Sequence, residues 1–167
     1  MTVTVTNAQQ QTEVNVSRIT RVARSAVRRL RIRGSGTMAI TFIDSRRMRT
    51  LNKRFLRHDR PTDVLSFRYD GEPVVGEILI DPSQARAYAA RHKIAYAEEL
   101  SRYVVHGLLH WMGHEDRTRA HQVHMRKMED RVLTFCGADS TGLASRDGSL
   151  FRNRVRGRKK EPSRNWK

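Results

Sequence analysis

Apolar residues in the first 136 positions switch between two spacings, and that switch restricts the fold more than any other feature of the chain. Ile19, Val22, Ala23, Ala26, Val27 and Leu30 recur in three- and four-residue steps, as in a helix that buries one face. Met38-Ala-Ile-Thr-Phe-Ile43 then alternates with a period of two and is rich in β-branching, as a half-buried strand is. The stripe predicts a helix over Ser17–Arg33, with Ser17 as its N-cap and Gly34-Ser-Gly36 as its stop. Asp44 or Ser45 can cap a second helix, to about Phe55, with Met48, Leu51 and Phe55 on one face.

The later chain continues the pattern. His58-Asp-Arg-Pro-Thr62 reads as a turn. Val64–Tyr69 and Val74–Ile80 read as strands, and Asp70-Gly-Glu-Pro73 between them makes a hairpin. Pro82 stands where proline is tolerated, in the first turn of a third helix. A fourth helix is expected from Tyr96 to Met112, stopped by Gly113, and a fifth from Arg119 to Phe135 behind a Thr118 cap. The order α, β, α, β, β, α, α, α suggests an α+β layer fold in which helices cover a small mixed sheet. From Gly137 the apolar periodicity stops, and Gly, Ser, Asp and Arg dominate. This divides the chain into one domain, 1–136, and a basic tail, 137–167, expected to be disordered.

Composition removes several classes of function. No apolar run approaches the length of a membrane span. The first residues lack the basic-then-apolar order of a secretory signal. A single cysteine, Cys136, rules out an intramolecular disulfide framework and fits a reducing cytoplasm. The net charge of +16 is unevenly spread: residues 1–58 carry +11, residues 59–135 carry −1 and residues 136–167 carry +6. Basic arms around a neutral middle point to a polyanionic partner, because Lys and Arg displace condensed counterions from phosphates. The competing, blander reading is a genome biased toward Arg, since 27 of the 33 basic residues are Arg; the nucleic acid reading is favoured over it.

The chemistry concentrates in Val105-His106-Gly-Leu-Leu-His110-Trp-Met-Gly113-His114-Glu115-Asp116. On a helix, His106 and His110 lie on one face, close enough to grip one ion. Gly113 can turn the chain back, and a residue just beyond can complete the set. His114, Glu115, Asp116 and His121 compete for that place; Asp116 holds the slot that metzincin-type sites give their third ligand. Three protein ligands and an open corner indicate a catalytic rather than a structural site. A zinc peptidase of the H-E-x-x-H kind needs its general base at the position of Gly107, which can move no proton. A non-haem iron oxygenase shares the ligand set, but no organic co-substrate site is evident.

At these residues the chain resembles the YbeY family of bacterial endoribonucleases, whose pattern is roughly H-G-x-L-H-L-x-G-Y-D-H. A second stretch matches separately: Asn52, Phe55 and Asp59-Arg-Pro61-Thr62-Asp63-Val64-Leu65-Ser66-Phe67. Gly76-Glu-Ile-Leu-Ile80 resembles the family's G-D-[IL]-x-I strand, and Met125-Arg-Lys-Met-Glu129 its late M-x-x-x-E segment. The match spans about residues 37–135. Two positions depart from it: the family's third His is Asp116 here, and the Arg that follows its aromatic is Leu56.

The resemblance implies a mostly parallel mixed sheet of about four strands with about five helices, and a cleft between the His helix and Pro61–Phe67. It also implies a zinc-dependent, single-strand-specific endoribonuclease in 16S rRNA 3′-end maturation and ribosome quality control. Its partners would be precursor 16S rRNA and the small ribosomal subunit. In that reading His106, His110 and Asp116 hold the metal and Glu115 shuttles a proton. Arg57, Arg60 or Arg68 neutralises charge on the phosphate, with Arg54 or Arg57 standing in for the absent arginine. Asp59 and Asp63 read as turn formers, and Thr62 and Ser66 as cleft-lining or strand-packing residues. The competing reading is an RNA-binding ribosome-assembly factor with little nuclease activity.

Overall fold

The computed structural model describes residues 1–56, 59, 62–69 and 73–141, with side chains left aside for Leu56 and 138–141. Its elements run β1 (Thr2–Asn7), α1 (Val16–Arg29), β2 (Thr37–Phe42), α2 (Ser45–Leu56), β3 (Val64–Arg68), β4 (Val74–Ile80), α3 (Pro82–His92), α4 (Tyr96–Trp111) and α5 (Arg119–Thr141). The strands form one sheet in the order β1-β2-β4-β3. β1, β2 and β4 are parallel, and β3 closes the edge antiparallel to β4. The expected mostly parallel, four-stranded α+β fold with five helices is therefore observed.

Local chemistry accounts for most element ends. Asp44 accepts from the Arg47 amide at the start of α2, and Asp81 caps α3 ahead of Pro82. Thr118 Oγ1 accepts from the His121 amide to cap α5. Three expectations need correction. α1 is capped by Asn15, whose side chain accepts from the Arg18 amide, and it ends at Arg29 rather than Arg33. The first strand was absent from the sequence-based order, yet Thr2–Asn7 pairs along its whole length with Thr37–Phe42. Finally, α5 continues to Thr141, past Gly137 where the composition changes. Residues 142–167, the bulk of the expected basic tail, lie outside the described residues.

Strand alternation splits the core in two. Val3, Met38, Ile40, Phe42, Val64, Ile78 and Ile80 face α1, α4 and α5 and join one large buried cluster. Leu65 and Leu79 point the other way and meet Ile43 and Met48 in a smaller cluster under α2. α4 occupies the centre of the helical layer, and every residue from Glu99 to Leu109 is buried. Burying each large apolar side chain there contributes roughly 1.5–3 kcal/mol. The helix that carries both histidines is thus held by neighbours along eleven consecutive residues.

Candidate metal centre

α4 lies tightly on the sheet because of Gly107. A Cβ at that position would fall 2.5 Å from Ile78 Cγ2 and 3.2 Å from Val64 Cγ1. Ser66 adds a hydrogen bond, its hydroxyl donating to the Gly107 carbonyl at 3.1 Å. At its far end α4 closes with the paired bonds of a Schellman motif: the His114 amide donates to the Leu109 carbonyl and the Gly113 amide to the His110 carbonyl. Gly113 adopts φ +92°, a left-handed conformation costly for any residue with a Cβ. This reversal brings Asp116 back against the helix.

His106, His110 and Asp116 converge, each offering a ligand atom, with these atoms within 4.8 Å of one another. The two Nε2 atoms are 3.0 Å apart, and His110 Nε2 lies 3.9 Å from Asp116 Oδ1. Tetrahedral zinc with bonds of about 2.0–2.1 Å to nitrogen separates two imidazole nitrogens by about 3.3 Å, so the donor set and its spacing fit a divalent ion. His106 and Asp116 are buried, and His110 is partly so. Burial pushes His110 down to about 3, helped by the neighbouring His106 and opposed by Glu129 and by a hydrogen bond to the His114 backbone. A ring that resists protonation keeps its lone pair available to a metal.

Behind His106 stands a carboxylate to which sequence reasoning gave no role. Glu129 Oε1 lies 2.8 Å from His106 Nδ1, and both groups are buried. Burial works to raise the Glu129 carboxyl. The hydrogen bond and electrostatic pull of His106 outweigh it, with Arg126 and Arg102, and hold it well below the usual carboxylate range. An ionised carboxylate only accepts, so Nδ1 donates to it and Nε2 is the atom turned toward His110 and the site. Arg102, almost fully buried, donates to Glu129 at 2.9 Å, lies 2.8 Å from Asp130 and lies 3.9 Å from Glu99. Burial disfavours the Arg102 charge, but Glu129 and Asp130 more than compensate and raise its pKa. The M-x-x-x-E spacing acquires a physical meaning: Met125 enters the core and, one turn later on the same face of α5, Glu129 reaches His106.

The other sequence candidates are dispersed. The His114 ring lies 6.1 Å from that of His124, and Glu115 faces Arg117 at 3.5 Å, both half-exposed. Asp59 is held on the surface by Arg49 and Lys53 at 2.8 and 3.3 Å. The Asp63 carbonyl accepts from the Asp81 amide, while Thr62 donates to the Asp63 carboxylate at 3.4 Å. Arg54 is exposed, its guanidinium 5.6 Å from the centre of the Phe55 ring. Arg68 sits over Trp111. Arg57, Arg60 and Pro61 lie outside the described residues.

Comparison with known proteins gives the chain a family. The Endoribonuclease YbeY family pattern matches residues 4–137. The chain belongs to the YbeY family. An endoribonuclease YbeY from Flavobacterium psychrophilum is 35% identical over 102 residues, 60% of this chain and 73% of that one. The YbeY of Rhodopirellula baltica is 33% identical over 126 residues, 72% of this chain and 65% of that one. That of Carboxydothermus hydrogenoformans is 27% identical but matches 81% of this chain and 97% of its own. A Thermotoga maritima protein solved in solution shares the fold with a TM-score of 0.57 at 20% identity, covering 88% of this chain and 97% of that one. YbeY membership sets the chain among endoribonucleases, hydrolases that act on RNA.

Proposed function

We propose that this chain is a single-strand-specific endoribonuclease that uses zinc held by His106, His110 and Asp116, and that it acts in 16S rRNA 3′-end maturation and ribosome quality control. The observation that carries the reading is the convergence of two imidazole nitrogens and one carboxylate within 4.8 Å, on either side of the chain reversal at Gly113. A zinc ion there supplies Lewis acidity toward a phosphate oxygen and acidifies bound water. The chain's own groups do the rest. Glu129 orients the His106 ring, and His106, with Arg126 and Arg102, keeps Glu129 charged. The buried walls of α4 hold the ligands rigid. Glu115, next to Asp116 on the exposed loop, serves as the proton carrier.

The surroundings support an RNA partner. Arg18, Arg21, Arg24, Arg28 and Arg29 are exposed along α1, turned away from the buried Ile19–Val27 stripe. Such a face grips backbone phosphates without reading sequence. Among the described residues no helix is long and apolar enough to cross a membrane. Precursor 16S rRNA on the small ribosomal subunit, met in the cytoplasm, is the partner in this proposal.

The test is cleavage of single-stranded RNA by wild type and His110→Ala at equal RNA occupancy. Loss of cleavage with RNA binding retained supports the hydrolase. Equal cleavage by both proteins, traced to a contaminant, favours the assembly-factor reading that the arginine face of α1 also fits.

A further inference from the structure

Several features carry basic charge around α4, but their partners differ. Arg102 is surrounded by Glu99, Glu129 and Asp130. Arg126 faces Glu129 at 3.8 Å, and Arg117 faces Glu115 at 3.5 Å. Each of these charges is already answered by a carboxylate. Arg68 is different: its guanidinium carbon lies 5.4 Å from the centre of the Trp111 ring, and no acid pairs with it among the described residues.

That position follows from the strand. Val64, Ser66 and Arg68 share one side of β3 by alternation. Val64 meets Gly107, Ser66 donates to the Gly107 carbonyl, and Arg68 reaches Trp111 one helical turn further on. Trp111 directly follows the candidate ligand His110, and its ring is fixed because Nε1 donates to the Val75 carbonyl at 3.2 Å and its edge rests on Gly76. An aromatic platform restrains a guanidinium through the ring face, by about 0.5–1 kcal/mol at an exposed site, and uses none of its N–H donors. The exposed Arg68 therefore keeps its donor fork and its charge on the ring that follows the candidate ligand His110 in the chain.

We infer that Arg68, seated on Trp111, forms an anion subsite that holds a phosphodiester of the RNA strand next to the one at His106, His110 and Asp116. The inference rests on the endoribonuclease reading and adds a specific contact to it. Arg68 grips backbone rather than base, so its contribution is the same for every sequence. It is a substrate-positioning residue: it sets where the strand lies, while the ligand set performs the chemistry.

The test uses the metal-loaded full chain and a labelled 2′-O-methyl oligoribonucleotide, checked on a gel to remain intact, with binding followed by fluorescence anisotropy against salt. Arg68→Ala is expected to weaken binding about tenfold, as loss of a charge-assisted hydrogen bond does. It should also lower the slope of log affinity against log salt by about 0.7, the share of one phosphate on a single strand. Arg68→Lys should keep the slope and recover most of the affinity, and metal content should equal wild type in both. An unchanged affinity and slope in Arg68→Ala would overturn the proposal. So would Arg68→Lys binding as weakly as Arg68→Ala, since charge would not be the cause. Wild-type RNA cleavage reports on the hydrolase reading separately, so the two ideas fail on different measurements.

Discussion

Glu129 Oε1 and His106 Nδ1 meet at 2.8 Å inside the protein, joining α5 to the helix that carries the candidate ligands. The contact spans 23 residues of sequence and orients the ring of the first histidine. It turns a helix-packing interface into part of the site, because α5 cannot shift without moving the ring it orients.

Replacing Glu129 by Gln preserves its shape and removes the charge that His106 and Arg102 share. Metal affinity should fall about 10- to 100-fold, as is usual when a carboxylate behind a ligating histidine is lost. Thermal unfolding should report a loss of about 3–5 kcal/mol from breaking a buried pair. Competition with a chelator measures the first effect and calorimetry the second. Wild-type metal affinity in Glu129→Gln would remove the orienting role.

Gly107→Ala tests whether close approach of helix and sheet positions the site. The added methyl collides with Ile78. A cost of about 1–3 kcal/mol is expected from overpacking, together with weaker metal binding as His106 and His110 are lifted off the sheet. Denaturant unfolding and metal titration of the same preparation read both.

The depressed proton affinity of His110 predicts a pH dependence. Its ordinary value is 6.5 and its value here about 3, because burial disfavours the imidazolium. Between these limits the unfolded chain binds a proton at this position that the folded chain does not. Stability of the metal-free protein should therefore rise with pH from about 3 to 6.5 and be fully present above 6.5. Glu129 acts in the same direction from its ordinary value of 4.5 downward, since its carboxyl is held below that range and must take up a proton as acid unfolds the chain. His110→Gln should flatten the slope between 3 and 6.5 by up to one proton. An equal slope in both proteins would show that His110 titrates normally.

The arginine arms predict steep salt dependence. Truncation after Thr141 keeps α5 whole and removes the basic residues beyond it. The slope of log RNA affinity against log salt should become shallower, and metal content should stay constant. A slope equal to that of the full chain would leave the RNA contacts to α1 and the domain itself.

The site was legible where its logic is local. Histidines four apart, a glycine where the helix must reverse and an acid three residues later are readable because a single turn and one loop build that part of the cluster. Glu129 was visible only as a matching segment, because its partner lies on the preceding helix, 23 residues back, and no spacing rule connects them. Arg102 looked like an ordinary helical charge, yet it is 1% exposed. Its burial depends on how α4 and α5 pack, which periodicity does not report. β1 escaped for a related reason. Thr2-Val-Thr-Val-Thr alternates as a strand should, but a six-residue edge strand is stabilised by a parallel partner that begins 35 positions later. The hairpin of β3 and β4, by contrast, joins sequence neighbours and was read correctly.

The most direct measurement is metal content per chain by elemental analysis, with RNA cleavage measured on the same samples, for wild type, His106→Ala and Asp116→Ala. The account predicts one equivalent of zinc in the wild type, little in either variant, and cleavage lost in parallel with the metal. Stoichiometric zinc and undiminished cleavage in both variants would contradict it.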